Sequence, residues 1–203
     1  MTQITVCEGD LPKDGLFKGS VAVDTETMGL NLLRDRLCLV QLSDANQNVY
    51  LVRIIPNKDC PRLKKVLTDP KLLKIFHYAR FDVAKIYQDL GVMTGPVYCT
   101  KIASKLCRTN TSSHGLKALC MAVLNIELDK EQQTSDWGAD TLSPEQQHYA
   151  ACDVLYLHAL KERLDTLLKR EGRADLAKAC FDFLPTRARL DLLAFNDPDI
   201  FAH

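Results

Sequence analysis

Three short stretches place acidic side chains where a buried element would meet solvent: VAVDTET at 21–27, FHYARFD at 76–82 and HYAACD at 148–153. Side chains alternate along a strand, so Asp24 and Glu26 share one face, about 7 Å apart along the chain. Asp82 falls in the first turn of a helix that follows a buried strand. Asp153 borders the apolar series Ala150, Val154, Leu157, Leu160, Leu164 and Leu168, spaced as one face of a helix. Tyr149 lies one turn before Asp153 and only about 40° around that helix, whereas His148 is about 140° away. Each acid alone has a plain explanation: a strand end turning to water, a carboxylate complementing a helix dipole, a local hydrogen bond. Together they suit hard divalent cations such as Mg²⁺ or Mn²⁺, which want several oxygen ligands, and phosphoryl chemistry commonly uses two such ions about 3.5–4 Å apart.

The elements that must deliver these groups can be read around them. Strand-like runs cover Ser20–Thr25, Arg36–Ser43, Asn48–Ile54, 72–78 and Val97–Cys99, and the polar DANQN segment joins the second and third as a hairpin. Between the first two, Gly29 permits a sharp turn. Helical patterns cover 60–69, about 80–90 with a stop at Gly91, 100–108, 115–125 and 144–170. The last opens with Ser143-Pro144-Glu145-Gln146, a cap residue and a proline at the first helical position. Residues 172–203 read as one or two short helices and an apolar tail. The expectation is one α/β domain over 1–203, with a mixed sheet of about five strands and a helical C-terminal half.

Composition narrows the partners. The chain has 203 residues, 26 Lys+Arg against 26 Asp+Glu and a formal net charge of zero. Proteins that grip long nucleic acid usually carry a basic excess, because neutralising several phosphates drives that binding; here the expectation is a short nucleic acid, if any. The longest stretch without a charged residue, Leu90 to Thr100, is far below the roughly 18 apolar residues of a membrane span. The N-terminal segment has no basic run followed by an apolar one, so no secretory signal is expected. The eight cysteines form no C-x-x-C pair and mostly sit in apolar surroundings, as inert thiols of a cytoplasmic protein do.

The three acidic motifs resemble those of the DEDD exonuclease superfamily, whose fold is ribonuclease H-like. DTET, RLCLVQLS, LDKEQQTSDW and LSPEQQHYAACDVLYLHALKERL resemble the catalytic domain of RNase D. CTKIASKL, HGLK and the ending FLPTR…LDLLAFNDPDIFAH are similar to the compact nano-RNase C branch of that family, which degrades very short RNAs, dinucleotides above all, and assembles into rings of eight. The resemblance runs from about residue 20 to the C-terminus. RNase D carries further helical domains after the catalytic one, and their absence here would agree with short substrates. The Q-x-Y-A-A-x-D context matches the tyrosine type, which assigns Tyr149 rather than His148 to the site. An asparagine stands in many proofreading exonucleases where this chain has Tyr78.

The resemblance implies a 3′→5′ exoribonuclease with two divalent metal ions, Mg²⁺ or Mn²⁺, held by Asp24, Glu26, Asp82 and Asp153. Tyr149, whose ordinary pKa is about 10, would orient the attacking water, and a nucleoside 5′-monophosphate would leave. Substrate contacts would come from Thr25, Met28, Gly29, Leu30, His77 and Phe81, with Leu30 either wedging between bases or packing in the core. Arg80, Arg108, His114 and Lys117 are candidates to cap a 5′-phosphate, or are ordinary solvated surface. Residues 112–117 would form a helix N-terminus, itself an anion site, and Trp137 either stacks on a base or, the better reading, buries a loop. The apolar tail (Leu192, Leu193, Phe195, Ile200, Phe201) suggests packing against its own domain or a neighbour, and the resemblance implies a homo-oligomer. The rival readings are RNase D-like trimming of longer RNA such as transfer RNA precursors, an exonuclease of DNA, and an inactive nucleic-acid-binding scaffold.

Overall fold

The computed structural model describes residues 2–128, 135–195 and 199–200. Among them six strands form one mixed sheet: β1 (Gln3–Glu8), β2 (Ser20–Thr27), β3 (Leu37–Ser43), β4 (Asn48–Arg53), β5 (Leu73–Phe76) and β6 (Val97–Cys99), in the order β1-β4-β3-β2-β5-β6. β3 runs antiparallel to both β2 and β4, β5 and β6 continue parallel to β2, and β1 lies parallel to β4 at the edge. The helices are α1 (Pro61–Thr68), α2 (Ala79–Leu90), α3 (Thr100–Cys107), α4 (Leu116–Leu124), α5 (Pro144–Leu155), α6 (Leu157–Arg170) and α7 (Ala174–Leu192). This is the expected α/β architecture with a helical second half.

Local chemistry explains most of the elements. Asp44 closes the β3–β4 hairpin by accepting from the N–H groups of Asn46 and Asn48, both at 2.9 Å, as an Asx turn does. All seven residues of β3 are buried, and because successive side chains point to opposite faces, both faces of the sheet are covered at that strand. α2 ends at Gly91, left-handed at φ 71°, whose N–H returns to the Tyr87 carbonyl. α5 opens with a full capping box: the Gln146 N–H donates to Ser143 Oγ, and the Ser143 N–H donates to the Gln146 side chain. Such a cap contributes on the order of 1 kcal/mol and sets where the helix begins. In α6, Leu157, Leu160, Leu164 and Leu168 are all buried, each stabilising the fold by about 1.5–3 kcal/mol.

Four expectations need correction. The sheet has a sixth strand, β1, whose side chains are mostly exposed, so its apolar alternation is too weak to mark it. The expected helix 144–170 divides at Tyr156 (φ −102°, ψ −1°); the apolar stripe passes through the break in phase, from Val154 to Leu157, so periodicity does not reveal it. The region after 172 forms one helix of 19 residues that continues through Pro185, because its buried face, from Ala177 to Ala188, packs against α2 and β6. Gly29 has no positive φ; what it provides is space, since a Cβ there would collide with the Asp35 carboxylate.

Candidate active site

Asp24 and Glu26 stand on the central strand β2, opposite Gln41 and Leu39 of β3. The pairing register shifts between Glu26 and Thr27, and the chain leaves the sheet into a tightly bonded loop. There the Asn31 N–H donates to Asp35 Oδ2 at 3.0 Å, and Asn31 Oδ1 accepts from the N–H groups of Leu33 and Arg34. The buried Lys85 ammonium donates to the Leu32 carbonyl at 3.0 Å. This scaffold presents Leu30, 85% exposed, so core packing is not its role.

Asp82 enters from the first turn of α2 and is 4% exposed. Thr25, between the two β2 acids, donates its hydroxyl to Asp82 Oδ1 at 2.6 Å, so one strand fixes the acid of the neighbouring helix. Asp153 comes from α5. Asp24, Glu26 and Asp153 each offer an oxygen within 4.8 Å of the other two. These groups line a cleft of about 370 Å³, together with Thr25, Thr27, Leu30, His77, Tyr78, Phe81, Asp82, Lys101, Gly115, Leu116, Lys117, Leu128 and Tyr149.

The electrostatics are those of buried acids crowded together. Burial, and then the charges of Asp82, Asp153 and Glu26, raise the Asp24 pKa well above the carboxylate range. Burial, Asp153 and Asp82 push Glu26 up to about 9. Burial raises Asp82 to about 7 against the lowering effect of the Thr25 hydrogen bond. Tyr149 is raised too, by burial, by the charges of Asp153, Glu26 and Asp24, and by its hydrogen bond to Asp153. No salt bridge reaches Asp24, Glu26 or Asp82 among the described residues. Crowded carboxylates fit a divalent cation, which takes oxygen ligands and favours their ionised forms.

Residues 10–169 match the 3′-5′ exonuclease family. The chain belongs to that family. A ribonuclease D of Gluconacetobacter diazotrophicus is 30% identical over 181 residues, covering 89% of this chain and 43% of the relative. The chain thus spans less than half the length of that curated relative. Brucella melitensis NrnC bound to pGG is 48% identical with a TM-score of 0.96, and NrnC with bound Mg²⁺ is 48% identical with a TM-score of 0.94; each covers 100% of both chains. The fold is that of the ribonuclease H-like exonucleases, and divalent metal ions are the family's cofactors. The Asp24–Glu26–Asp153 cluster is where this 3′-5′ exonuclease chain can hold them.

The expected substrate residues divide. Thr25, Leu30, His77, Phe81 and Lys117 line the cleft, while Met28, Gly29, Arg80, Arg108 and His114 do not. Arg80 is corrected most clearly: its Nε and Nη2 donate to the two carboxylate oxygens of Asp191 of α7, at 2.6 and 2.7 Å, so one edge of its guanidinium is already taken by an acid. Arg108 donates to Ser104 Oγ, and the His114 ring bonds the same hydroxyl, so both organise the turn before α4. Met28 lies against Gly138 and Gly29 against Asp35. Trp137 is 4% exposed, its ring 6.0 Å from that of Tyr149, so it buries a loop. His148 is exposed, beside Cys152, and Tyr149 is the residue that faces the acids.

Lys101 and Tyr78 are among the cleft residues that the sequence does not mark. Lys101 holds its ammonium 3.9 Å from the centroid of the Tyr78 ring, yet in CTKIASKL it looks like any helical lysine. Tyr78 stood out only as a departure from asparagine. His77, bonded to Thr100 Oγ1 at 2.8 Å, is lowered to about 4 by burial and by the Lys101 charge, so it is neutral at pH 7. Phe201 lies outside the described residues. No helix among those described is long and apolar enough to cross a membrane.

Proposed function

We propose that the chain is a metal-dependent 3′→5′ exoribonuclease of very short oligoribonucleotides, dinucleotides above all, releasing nucleoside 5′-monophosphates. The observation that carries this reading is the charge layout of the cleft. Its acids stand together, and among the described residues its lysine and arginine lining is Lys101 and Lys117, in a chain of zero net charge. Binding a long strand draws on many phosphate contacts; this cleft offers cations for one or two. The full-length likeness to NrnC bound to pGG supports the same reading.

Asp24, Glu26 and Asp153 would hold one metal ion, with Asp24 shared with a second and Asp82 contributing directly or through water. Bound Mg²⁺ or Mn²⁺ supplies a hydroxide near neutral pH and neutralises charge on the phosphodiester. The protein positions the rest. Tyr149 keeps its proton at working pH, since its pKa is raised, so it orients the nucleophile and does not act as the base. Leu30 supplies an apolar edge for a nucleobase. The first turn of α4, with Gly115 at its cap and no side chain bonded to it, leaves free N–H groups that suit a phosphate, with Lys117 beside them. Arg108 and His114 act on that phosphate only through the turn they hold.

Residues 1–203 would work as one exonuclease domain and assemble as a homo-oligomer, an octameric ring by the resemblance. Leu176, Phe183, Leu193, Phe195 and Ile200 are all exposed on or after α7, a surface that suits a neighbouring copy. Light scattering tests the assembly, and a clean monomer would exclude it. Eight cysteines, six of them buried, suit a reducing compartment such as the cytoplasm.

The curated ribonuclease D relatives favour a second reading, trimming of longer RNA such as transfer RNA precursors. Turnover of a dinucleotide against a twenty-mer at matched concentration separates the two. Steady shortening of the twenty-mer while the dinucleotide persists would overturn the short-substrate proposal. A DNA twenty-mer in parallel tests the remaining substrate class.

A further inference from the structure

Tyr78 has a backbone that the fold explains and a side chain that it does not. Its φ of 69° and ψ of 40° are left-handed, an arrangement that is uncommon for a bulky residue and costs on the order of 1–3 kcal/mol unless its surroundings impose it. Tyr78 is the N-cap of α2, and the Phe81 N–H bonds back to its carbonyl at 3.2 Å. The turn therefore carries the chain out of β5 and into the helix that delivers Asp82. Asparagine or glycine would make that turn at less cost, and the tyrosine makes no side-chain cap bond there. The turn accounts for the conformation and leaves the aromatic ring unexplained.

The ring's surroundings supply a use for it. It lines the same cleft as the acids and is 47% exposed, a large apolar surface left open inside a site built of charges. Lys101 stands over one face with its ammonium 3.9 Å from the ring centroid, within cation–π range. With 47% of the residue exposed, the ring has surface to offer a flat partner. Aromatic rings in clefts that take single-stranded nucleic acid are stacking surfaces, and they tolerate any sequence because every base has a π-face.

We propose that Tyr78 is a base-stacking platform backed by Lys101, with a nucleobase of the substrate on the ring face opposite the ammonium. This rests on the exoribonuclease reading above and adds to it a source of binding that every base can use, purines more strongly than pyrimidines. Leu30 provides an apolar edge of the same cleft. Lys101 holds the ring from behind and adds positive charge near the phosphates.

The test is steady-state hydrolysis of 5′-phosphorylated diadenylate and diuridylate, with a ten-mer in parallel, by wild type, Tyr78→Asn, Tyr78→Phe and Lys101→Met. Asparagine accepts the left-handed turn, so Tyr78→Asn removes the ring and keeps the start of α2. KM should rise by roughly 5- to 100-fold, the range of one lost base–aromatic stack, more for diadenylate than for diuridylate, with kcat changed less than KM. Tyr78→Phe should recover most of the loss, and Lys101→Met should raise KM by a smaller factor. A KM within twofold of wild type in Tyr78→Asn would overturn the platform. So would a fall in kcat with KM unmoved, which would mean that the residue acts only through the start of α2. If the wild type turns over the ten-mer and not the dinucleotides, the short-substrate reading fails, while a KM rise on the ten-mer in Tyr78→Asn still supports the platform.

Discussion

Glu26→Gln should make the metal-free protein more stable while abolishing its activity, and the size of the gain follows from the acid cluster. Burial, Asp153 and Asp82 raise the Glu26 pKa from 4.5 to about 9. A carboxyl whose folded pKa lies above its unfolded one binds more protons in the folded state between the two values, so stability falls as pH rises through that window. At pH 7.5 the unfolded chain ionises Glu26 freely while the folded chain holds it protonated, some three pH units above its ordinary value. One unit corresponds to about 1.4 kcal/mol, so the penalty at pH 7.5 is about 4 kcal/mol at most, and about 2 once the water in the open cleft is allowed for. Glutamine keeps the shape, carries no charge and can donate to Asp153.

The assay is urea unfolding in EDTA at pH 5.0 and 7.5, with and without Mg²⁺. In EDTA at pH 7.5 the variant should gain about 2–4 kcal/mol, or roughly 5–10 °C in midpoint for a chain of this size. At pH 5.0 the gain should shrink below about 1 kcal/mol, because that pH lies only about half a unit above the unfolded value of 4.5. Mg²⁺ should stabilise the wild type more than the variant and close the gap, since a cation bound only by the folded state adds to its stability. A variant less stable than wild type in EDTA at pH 7.5, or a gain equal at both pH values, would refute the idea that these carboxylates repel one another and await a cation.

Leu30→Ala should raise KM for a dinucleotide several-fold and leave unfolding stability within about 0.5 kcal/mol, because the side chain is almost fully exposed; a large stability loss would mean that it packs. His77, lowered to about 4, has a folded pKa below its unfolded one. The unfolded chain therefore takes up the extra proton first, and stability should fall by up to about 3 kcal/mol as pH drops from 6.5 to 4. His77→Gln should remove that part of the acid sensitivity, and an identical pH dependence would count against it. Asp191→Asn should destabilise by about 3–5 kcal/mol, as breaking a buried pair does, because Asp191 accepts from Arg80 and also from Arg187. Urea titration reads the change, and a neutral result would return Arg80 to the list of free cations.

What the sequence made legible was local, and what it hid was long-range. VAVDTET declares a strand by its period and two acids on one face by the same period. The cap at Ser143 and the stripe from Ala150 to Leu168 place Asp153 and Tyr149 on one helix face without any tertiary information. The partnership of Arg80 with Asp191 bridges 111 positions, and no spacing rule reaches that far, so a surface cation and a buried one look alike in the chain. The same holds for Lys101, which becomes distinctive only when α3 is set beside the turn at Tyr78. The acids were legible for a different reason. Glu26 sits near the end of β2, Asp82 in the first turn of α2 and Asp153 in the last turn of α5, the kind of position where a folded chain can gather charges at a cleft. Three such ends meeting at one cleft cost the metal-free fold stability, and a cost of that kind persists only where function requires it. The cluster's own instability without a cation is therefore the strongest physical argument that it exists to bind one.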